Sequence, residues 1–571
     1  MQWSYLDSAV IAMVSFYLMQ APYTKVEESF SIQAIHDILK YSIFDISQYD
    51  HFQYPGVVPR SFVGPLIIAY LTKPFVAIST WLNGPNDIPP TEFEAQLLVR
   101  CVIGLTNCIS LIYLKNAAQQ LFTNENKKLM EEEKKRKQES RSVRTRTLNV
   151  DVTTLGTWFL SFIISGFHLM YYSSRPLPNF VVALPLTNIV ISWVLVGDYS
   201  YAISLCALTS VVFRSEIAAL GIGITLFSIV LRKISIIEAI KYGIMGVVAG
   251  LALSLTIDSY FWRTWCVPEV TSFFFNVVDG NSSNWGTEHF FAYFTHYLRM
   301  LYLPPTILLL SCLGYSLAPT NLKIVILASL FHILTLSIQP HKEWRFIVYT
   351  LPVITLSGSV AAAYLWENIS VDSVLKMMLI SLLPLTPILS MVCSLAFLFV
   401  SRLNYPGGEA LSQFNHFIMN NNITNATVHL SVAACMTGIT RFSELNYDTY
   451  GINYDKTETL TELEAAWSSY DYLITTENSV SLLPFDKLPA EQWELIGVNS
   501  MFGGINTEYI SDLLIEDDTY VYELAKHMFN AKSAISVIST FLKNLVREDN
   551  FIYTYKRISL SASEKINSED A

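Results

Sequence analysis

Residues 61–82 read SFVGPLIIAYLTKPFVAISTWL, and whether this run crosses a membrane decides the architecture of the whole chain. It is long enough, since a span needs about 20 mostly apolar residues. Gly64 and Pro65 weaken its start, and Lys73-Pro74 interrupts its middle. Charge elsewhere arbitrates. The segment 126–146 holds nine basic residues, Lys127, Lys128, Lys134, Lys135, Arg136, Lys137, Arg141, Arg144 and Arg146. Orientation follows Lys and Arg, so this loop is expected in the cytosol. Arg232, Lys233 and Lys241 belong there too, and the four apolar runs between the two loops keep their sides consistent. If 61–82 is a twelfth span, Met1 lies in the lumen; if it does not span, Met1 is cytosolic and 22–94 forms one long luminal loop. We read 61–82 as an interfacial or re-entrant helix pair in that loop.

Working outward, eleven runs read as spans: 5–21, 95–121, 152–173, 177–197, 199–213, 216–232, 241–258, 301–318, 321–339, 346–366 and 374–400. The composition agrees. Of 571 residues, 52% are hydrophobic and only 15% charged. A soluble domain carries roughly a quarter charged residues, so this chain could not dress its surface in water. The expected class is a polytopic α-helical membrane protein. A net charge of −11 argues against a nucleic-acid partner. The seven cysteines include no CxxC pair, so neither a zinc site nor a redox motif is indicated.

The parity places 22–94, 173–177, 259–300, 340–345 and everything after 401 in the lumen. Sequons at Asn281, Asn422 and Asn425 fall on that side, whereas Asn368 falls on the cytosolic side and is expected to be inert. From 402 the apolar runs shorten and acids become frequent. The stretch 427–435 alternates as a half-buried strand does, 457–467 (TETLTELEAAW) reads as a helix with Thr457 or Thr459 as N-cap, and 471–477 reads as a strand. Residues 402–571 are therefore expected to form a small luminal α+β domain ending in a polar tail at 560–571, and 1–401 the membrane bundle.

Ionisable residues near a membrane are costly and become functional candidates. Glu27 and Glu28, in YTKVEESF, stand where the first span enters the lumen. Adjacent helical positions point about 100° apart, so one acid can face a hydroxyl as general base while the other finds a structural partner; a solvated first turn is the plainer alternative. Gln339-Pro-His341-Lys342-Glu343-Trp-Arg345-Phe packs cations and an acid into one short loop. Lys342 and Arg345 can hold a phosphate with His341 adding a hydrogen bond and Glu343 orienting Arg345, which interfacial snorkelling alone does not explain. Ser173-Ser-Arg175-Pro-Leu-Pro-Asn179 is an extended turn presenting a guanidinium and an amide. Arg214-Ser-Glu216 reads most simply as a structural ion pair. Two long loops contribute His51, Arg60 and Trp285 among aromatic and amide neighbours, a mixture suited to sugar rings and equally to any interface. No chain of ionisable groups crosses the middles of the spans and no inverted repeat is visible, which disfavours an ion-coupled transporter.

HKEWRF resembles the HKE-R-F signature of glycosyltransferase family 22, the dolichyl-phosphate-mannose-dependent mannosyltransferases. YTKVEESFSIQAIHDILKY, YDHFQYPGVVPRSFVGPL, SSRPLPNF and SSNWGT extend the resemblance through residues 1 to about 400. It implies a GT-C fold with a long first luminal loop, in the endoplasmic reticulum membrane. It implies dolichyl phosphate mannose as donor, a dolichyl-diphosphate-linked oligosaccharide as acceptor, inversion at the sugar, and no cofactor or metal. By this resemblance Glu27 or Glu28 is the catalytic base, with Glu27 preferred. His341, Lys342, Arg345 and Arg175 contact the donor phosphate, and His51, Arg60 and Trp285 the acceptor. The family's acidic pair is often Asp-Glu; Glu27 here is one methylene longer, which leaves open which acid is the base.

Overall fold

The computed structural model describes residues 3–84, 89–138, 150–369, 372–483, 493–509, 511 and 540–558. The basic residues Arg141, Arg144 and Arg146 and the tail at 560–571 lie outside them. The chain divides into two compact units.

The first unit takes residues 1–19, 30–78 and 98–395 and is helical. Every run read as a span contains helix. Among the described residues seven helices are long and apolar enough to cross a membrane, or up to eight if the sharply bent pair Tyr293–Leu301 and Thr306–Leu317 counts as one span. The protein is thus a multi-pass membrane protein. Four further apolar helices, Tyr5–Gln20, Val152–Ser165, Tyr199–Val212 and Ile217–Val230, are shorter. At 1.5 Å per residue they reach only ~21–24 Å, against ~30 Å of hydrocarbon. This length criterion therefore separates them from the seven, although all belonged to the eleven expected spans.

Residues 61–82 are not a pair of helices. They form most of one continuous helix, Val63–Asn83, with Pro74 inside it. The helix buries Val63, Gly64, Pro65, Ile68, Ala69 and Thr72 and exposes Ile67, Tyr70, Leu71, Phe75, Ile78, Trp81 and Leu82. Apolar residues on both faces let it pack one side and offer lipid the other, so the lost hydrogen bond at Pro74 does not break it. It is one of the seven helices long enough to span. The basic stretch after 121 continues the long helix Phe93–Gln138 as far as residue 138.

The second unit takes residues 396–571 together with 20–29 and 79–97, a wider set than the contiguous segment read from composition. It is built on a mixed sheet of β1 (Thr427–Leu430), β2 (Asn453–Asp455), β3 (Tyr472–Thr475), β4 (Trp493–Ile505) and β5 (Val546–Arg557), in the order β2-β1-β3-β5-β4. β1 pairs in parallel with β2 and β3, and β5 lies antiparallel between β3 and β4. Both faces are covered, which is why all four residues of β3 are buried. Leu411, Phe414 and Ile418 of helix Pro406–Asn420 pack on Val428, Leu430 and Ile474, while Trp467 and Leu463 pack on Leu473 and Tyr555 across the other face. β1 stops at Leu430 because the Ser431 side chain accepts the Ala434 N–H and starts a short helix, Val432–Met436. The expected helix at 457–467 is Leu460–Ala466, directly after Thr459.

Candidate active site

The HKEWRF loop leaves helix Thr320–Ser337 and enters a tight 3₁₀ run, Trp344–Thr350, before helix Leu351–Asn368. Seven residues is long for that conformation, which is seldom sustained beyond a few and often marks function. Glu343 is the hub. Its carboxylate takes Arg345 at two points, Nε to Oε2 at 2.5 Å and an Nη to Oε1 at 2.8 Å. His341 Nε2 lies 3.0 Å from Oε1. An ionised carboxylate only accepts, so this contact assigns the proton to His341 Nε2. Burial opposes the Glu343 charge, but Arg345 and His341 outweigh it and hold the carboxyl below the usual range. Two of the five guanidinium N–H groups are spent on Glu343, and the others meet no hydrogen-bonding acceptor among the described residues. Arg345 is thereby fixed with donors to spare.

Lys342 points the other way. It is 3% exposed, and its Nζ donates to the carbonyls of Gln339 (2.6 Å) and Glu288 (3.3 Å). Burial lowers its pKa. The Glu288 N–H donates to the Pro340 carbonyl, and the Tyr297 hydroxyl bonds both Glu288 Oε1 and the Lys342 carbonyl. Lys342 is a staple between two loops, and in this geometry it presents no cation to a phosphate. Arg175 is likewise enclosed at 1% exposure. It donates to the Tyr171 hydroxyl at 2.7 Å, with its guanidinium 4.3 Å from the centre of the same ring. Its turn is pinned by Arg100 to the Ser174 carbonyl and by Asn107 to the carbonyls of Ser173 and Phe180. Trp344 packs on Tyr172 and His168. Sequence could place both cations in polar loops; burial turns them inward.

Asn179 opens a widened π-helical turn, Asn179–Ala183. Its Nδ2 lies 3.0 Å from Glu216 Oε1, 2.8 Å from the Tyr349 hydroxyl and 3.2 Å from the Arg345 carbonyl. Three loops far apart in sequence thus meet on one amide. Arg214 Nε donates to Glu216 Oε1 at 2.8 Å, and Glu216 and Glu269 together raise the Arg214 pKa despite burial. Glu269, 6% exposed, accepts the Ser215 N–H at 2.7 Å; burial raises its pKa while Arg214 opposes the rise. Arg60 and Glu269 line a small cavity of about 30 Å³ with Ser31, Ser61 and Phe213. Burial, then Arg214, pushes Arg60 down to about 10. The pair Arg214–Glu216 does read as an ion pair, but it sits in a wider network. Glu269 was not legible: Pro268-Glu269 opens a short helix, where an acid is ordinary, and its partner is 54 residues away. Asn179→Leu is expected to cost about 1–3 kcal/mol, because it strips donors from buried acceptors. A lower thermal midpoint of the purified protein checks this; an unchanged midpoint contradicts it.

The remaining candidates divide sharply. His51 is buried, its Nε2 bonded to the Phe261 carbonyl at 3.0 Å and its ring packed on Phe52, Phe62 and Trp262. Burial lowers its pKa. It is a packing residue with no open edge for a sugar. Trp285 is 59% exposed at the end of a short helix, Asn281–Trp285. In the second unit, Glu28 is 2% exposed and its Oε2 accepts the Lys25 N–H at 3.4 Å, closing the turn Val26–Glu28. Glu27 is exposed and bonded to no other side chain among the described residues.

The chain belongs to the Alg9-like mannosyltransferase family, whose model matches residues 8–438. It is 51% identical over 558 residues to the Dol-P-Man:Man(7)GlcNAc(2)-PP-Dol alpha-1,6-mannosyltransferase of Saccharomyces cerevisiae, covering 98% of this chain and 99% of that one. A probable enzyme of the same name in Schizosaccharomyces pombe is 35% identical over 83% of this chain and 78% of its own. Among solved structures, ArnT from Cupriavidus metallidurans bound to undecaprenyl phosphate is similar at a TM-score of 0.49 and 10% identity, over 86% of this chain and 96% of that one.

Proposed function

We propose that this chain transfers mannose from dolichyl phosphate mannose to the 6-hydroxyl of a mannose on Man7GlcNAc2-PP-dolichol, with inversion. The observation that carries the reading is the 51% identity to the yeast enzyme over nearly the full length of both chains. The acceptor O6 attacks the anomeric carbon as the bond from that carbon to the phosphate oxygen breaks. Glu27 takes the hydroxyl proton, and dolichyl phosphate departs with the bonding pair. Glu27 is the base in this reading because it is exposed, whereas Glu28 is buried and spends an oxygen on the Lys25 N–H.

Arg345, braced by Glu343, meets the negative charge that grows on the phosphate, while His341 gives its Nε2–H to that brace. Lys342 and Arg175 hold loops in place and leave the donor contacts. Arg60, on its cavity wall, and the exposed Trp285 remain for the acceptor; His51 does not. The reaction needs no nucleotide sugar, metal or other cofactor. In this reading Val63–Asn83 lies in the first luminal loop without crossing, so the reaction takes place at the luminal face of the endoplasmic reticulum membrane, with the N-terminus cytosolic and the C-terminus luminal. Purified protein given dolichyl phosphate mannose and a set of lipid-linked acceptors should elongate Man7GlcNAc2 and leave shorter acceptors unchanged. Elongation through a 2-hydroxyl overturns the assignment.

A further inference from the structure

The segment that carries Glu27 and Glu28 does not hold itself in place. It is 20–29, a short stretch after helix Tyr5–Gln20, and it belongs to the same compact unit as the C-terminal sheet domain. Its contacts there are specific. The Pro22 carbonyl accepts Gln96 Nε2–H at 3.1 Å. Gln96 is fully buried, and its Oε1 accepts the Thr440 hydroxyl at 2.6 Å. One amide therefore ties the acid-bearing segment to the C-terminal domain.

Tyr23, four residues before Glu27, fills a slot made by the same domain. Its ring packs on Phe93 at 5.6 Å and Tyr405 at 6.5 Å. It also presses on Gly408, where an added Cβ would lie 2.5 Å from a ring carbon. Gly438, at φ +126°, brings a second backbone turn against Tyr23 Cβ, and its φ is one that other residues rarely adopt. The two turns are themselves joined, Gly407 N–H to Thr437 Oγ1 and Gly408 N–H to the Thr437 carbonyl, each at 3.1 Å. Nearby, Thr91 bridges Leu445, and the Asn446 N–H bonds the Pro90 carbonyl at 2.9 Å. Thr24 is 2% exposed, so the seat grips the chain up to the residue before Lys25.

We propose that the C-terminal domain is the seat of the catalytic base, with Gln96, Thr440 and Gly408 as positioning residues that fix the Tyr23–Glu28 segment. This rests on Glu27 being the base. A base that swings by about 1 Å loses rate while substrate binding survives, because geometry enters the transition state more steeply than the ground state.

Full-length purified protein carrying Thr440→Val keeps the shape of the side chain and loses the hydroxyl. We expect kcat to fall about tenfold with KM for donor and acceptor within about twofold, and Thr440→Ser to restore kcat. Gly408→Ala should lower kcat in the same way by displacing Tyr23. If Thr440→Val does not fold, Gln96→Met keeps the side-chain length, adds no charge and removes the amide that joins Pro22 to Thr440, with the same expected split. Unchanged kcat in Thr440→Val, a loss confined to KM, or a Thr440→Ser as slow as Thr440→Val each overturn the proposal. Glu27→Gln in an otherwise unaltered chain separates the two readings. If it is inactive while Thr440→Val is normal, the seat alone fails; if it is active, the assignment of the base fails.

Discussion

Glu27→Gln should lower mannose transfer about 10²- to 10⁴-fold, the range that a positioned general base contributes, with little change in KM for either substrate. The substitution is nearly isosteric. It keeps a hydrogen-bonding oxygen and removes the ability to take a proton, so substrate binding has little to lose. Stability should hold as well, because Glu27 is exposed and anchors no other side chain among the described residues. Glu28→Gln is the informative contrast. Glu28 is buried and closes the turn through the Lys25 N–H, so its loss should appear first in the thermal midpoint and only weakly in kcat. Initial rates and melting curves on the same preparations check both. Undiminished transfer by Glu27→Gln, or the large kcat loss falling on Glu28→Gln, exchanges or removes the proposed roles.

This asymmetry between neighbours was partly legible. Two adjacent acids after a span must diverge, so one was expected to be structural, but which one depends on burial that spacing does not encode. The same limit explains Lys342 and Arg175. Their loops were recognisable as polar turns between spans, and the structure does bring them beside each other through Trp344 and Tyr172. A long flexible cation can still turn outward to a ligand or inward to carbonyls and tyrosine rings. Glu343 was different. An acid two residues from an Arg and two from a His in a tight loop has few other partners, and it binds both.

The helical bundle could be read from apolar runs because lipid imposes a single strong rule on them. Residues 61–82 escaped that rule. Pro74 and Lys73 suggested a break, yet an otherwise apolar helix continues through them. In the sheet domain, β1 and β3 carry compact apolar runs and were found. β4 and β5 were not, since β4 contains Gly497, Gly503 and Gly504, and β5 carries Arg547, Glu548 and Asp549 directly after Val546, residues that depress a strand signal. Their pairing with each other supplies what their composition lacks. Thr440 and Gln96 carry no signal at all: each is an ordinary polar residue, and they become a pair only across 344 positions.

The second large effect belongs to the Glu343–Arg345 pair. Arg345→Lys should reduce kcat about 10²- to 10³-fold, equivalent to about 3–4 kcal/mol, as loss of a preorganised donor at a developing charge does. Lysine keeps the charge, but it lacks the planar fork that bonds Glu343 at two points and leaves further N–H groups aimed elsewhere. Glu343→Gln keeps Arg345 and removes its brace. One carboxylate oxygen becomes an NH₂ that cannot accept, so either His341 or one arm of Arg345 loses its partner, and a smaller fall in kcat follows. The variant also carries a pH signature. The folded carboxyl is held below its ordinary value, so its ionisation stabilises the protein above the unfolded-state pKa of about 4.3, and that contribution is lost as pH falls through the lower folded value. Wild type should therefore lose this increment on acidification, whereas Glu343→Gln starts without it. Melting curves on the acid side and rates with dolichyl phosphate mannose test the pair together. Full activity in Arg345→Lys would remove the guanidinium from the donor site, and an acid-side loss identical in Glu343→Gln and wild type would show that the brace contributes nothing to the fold.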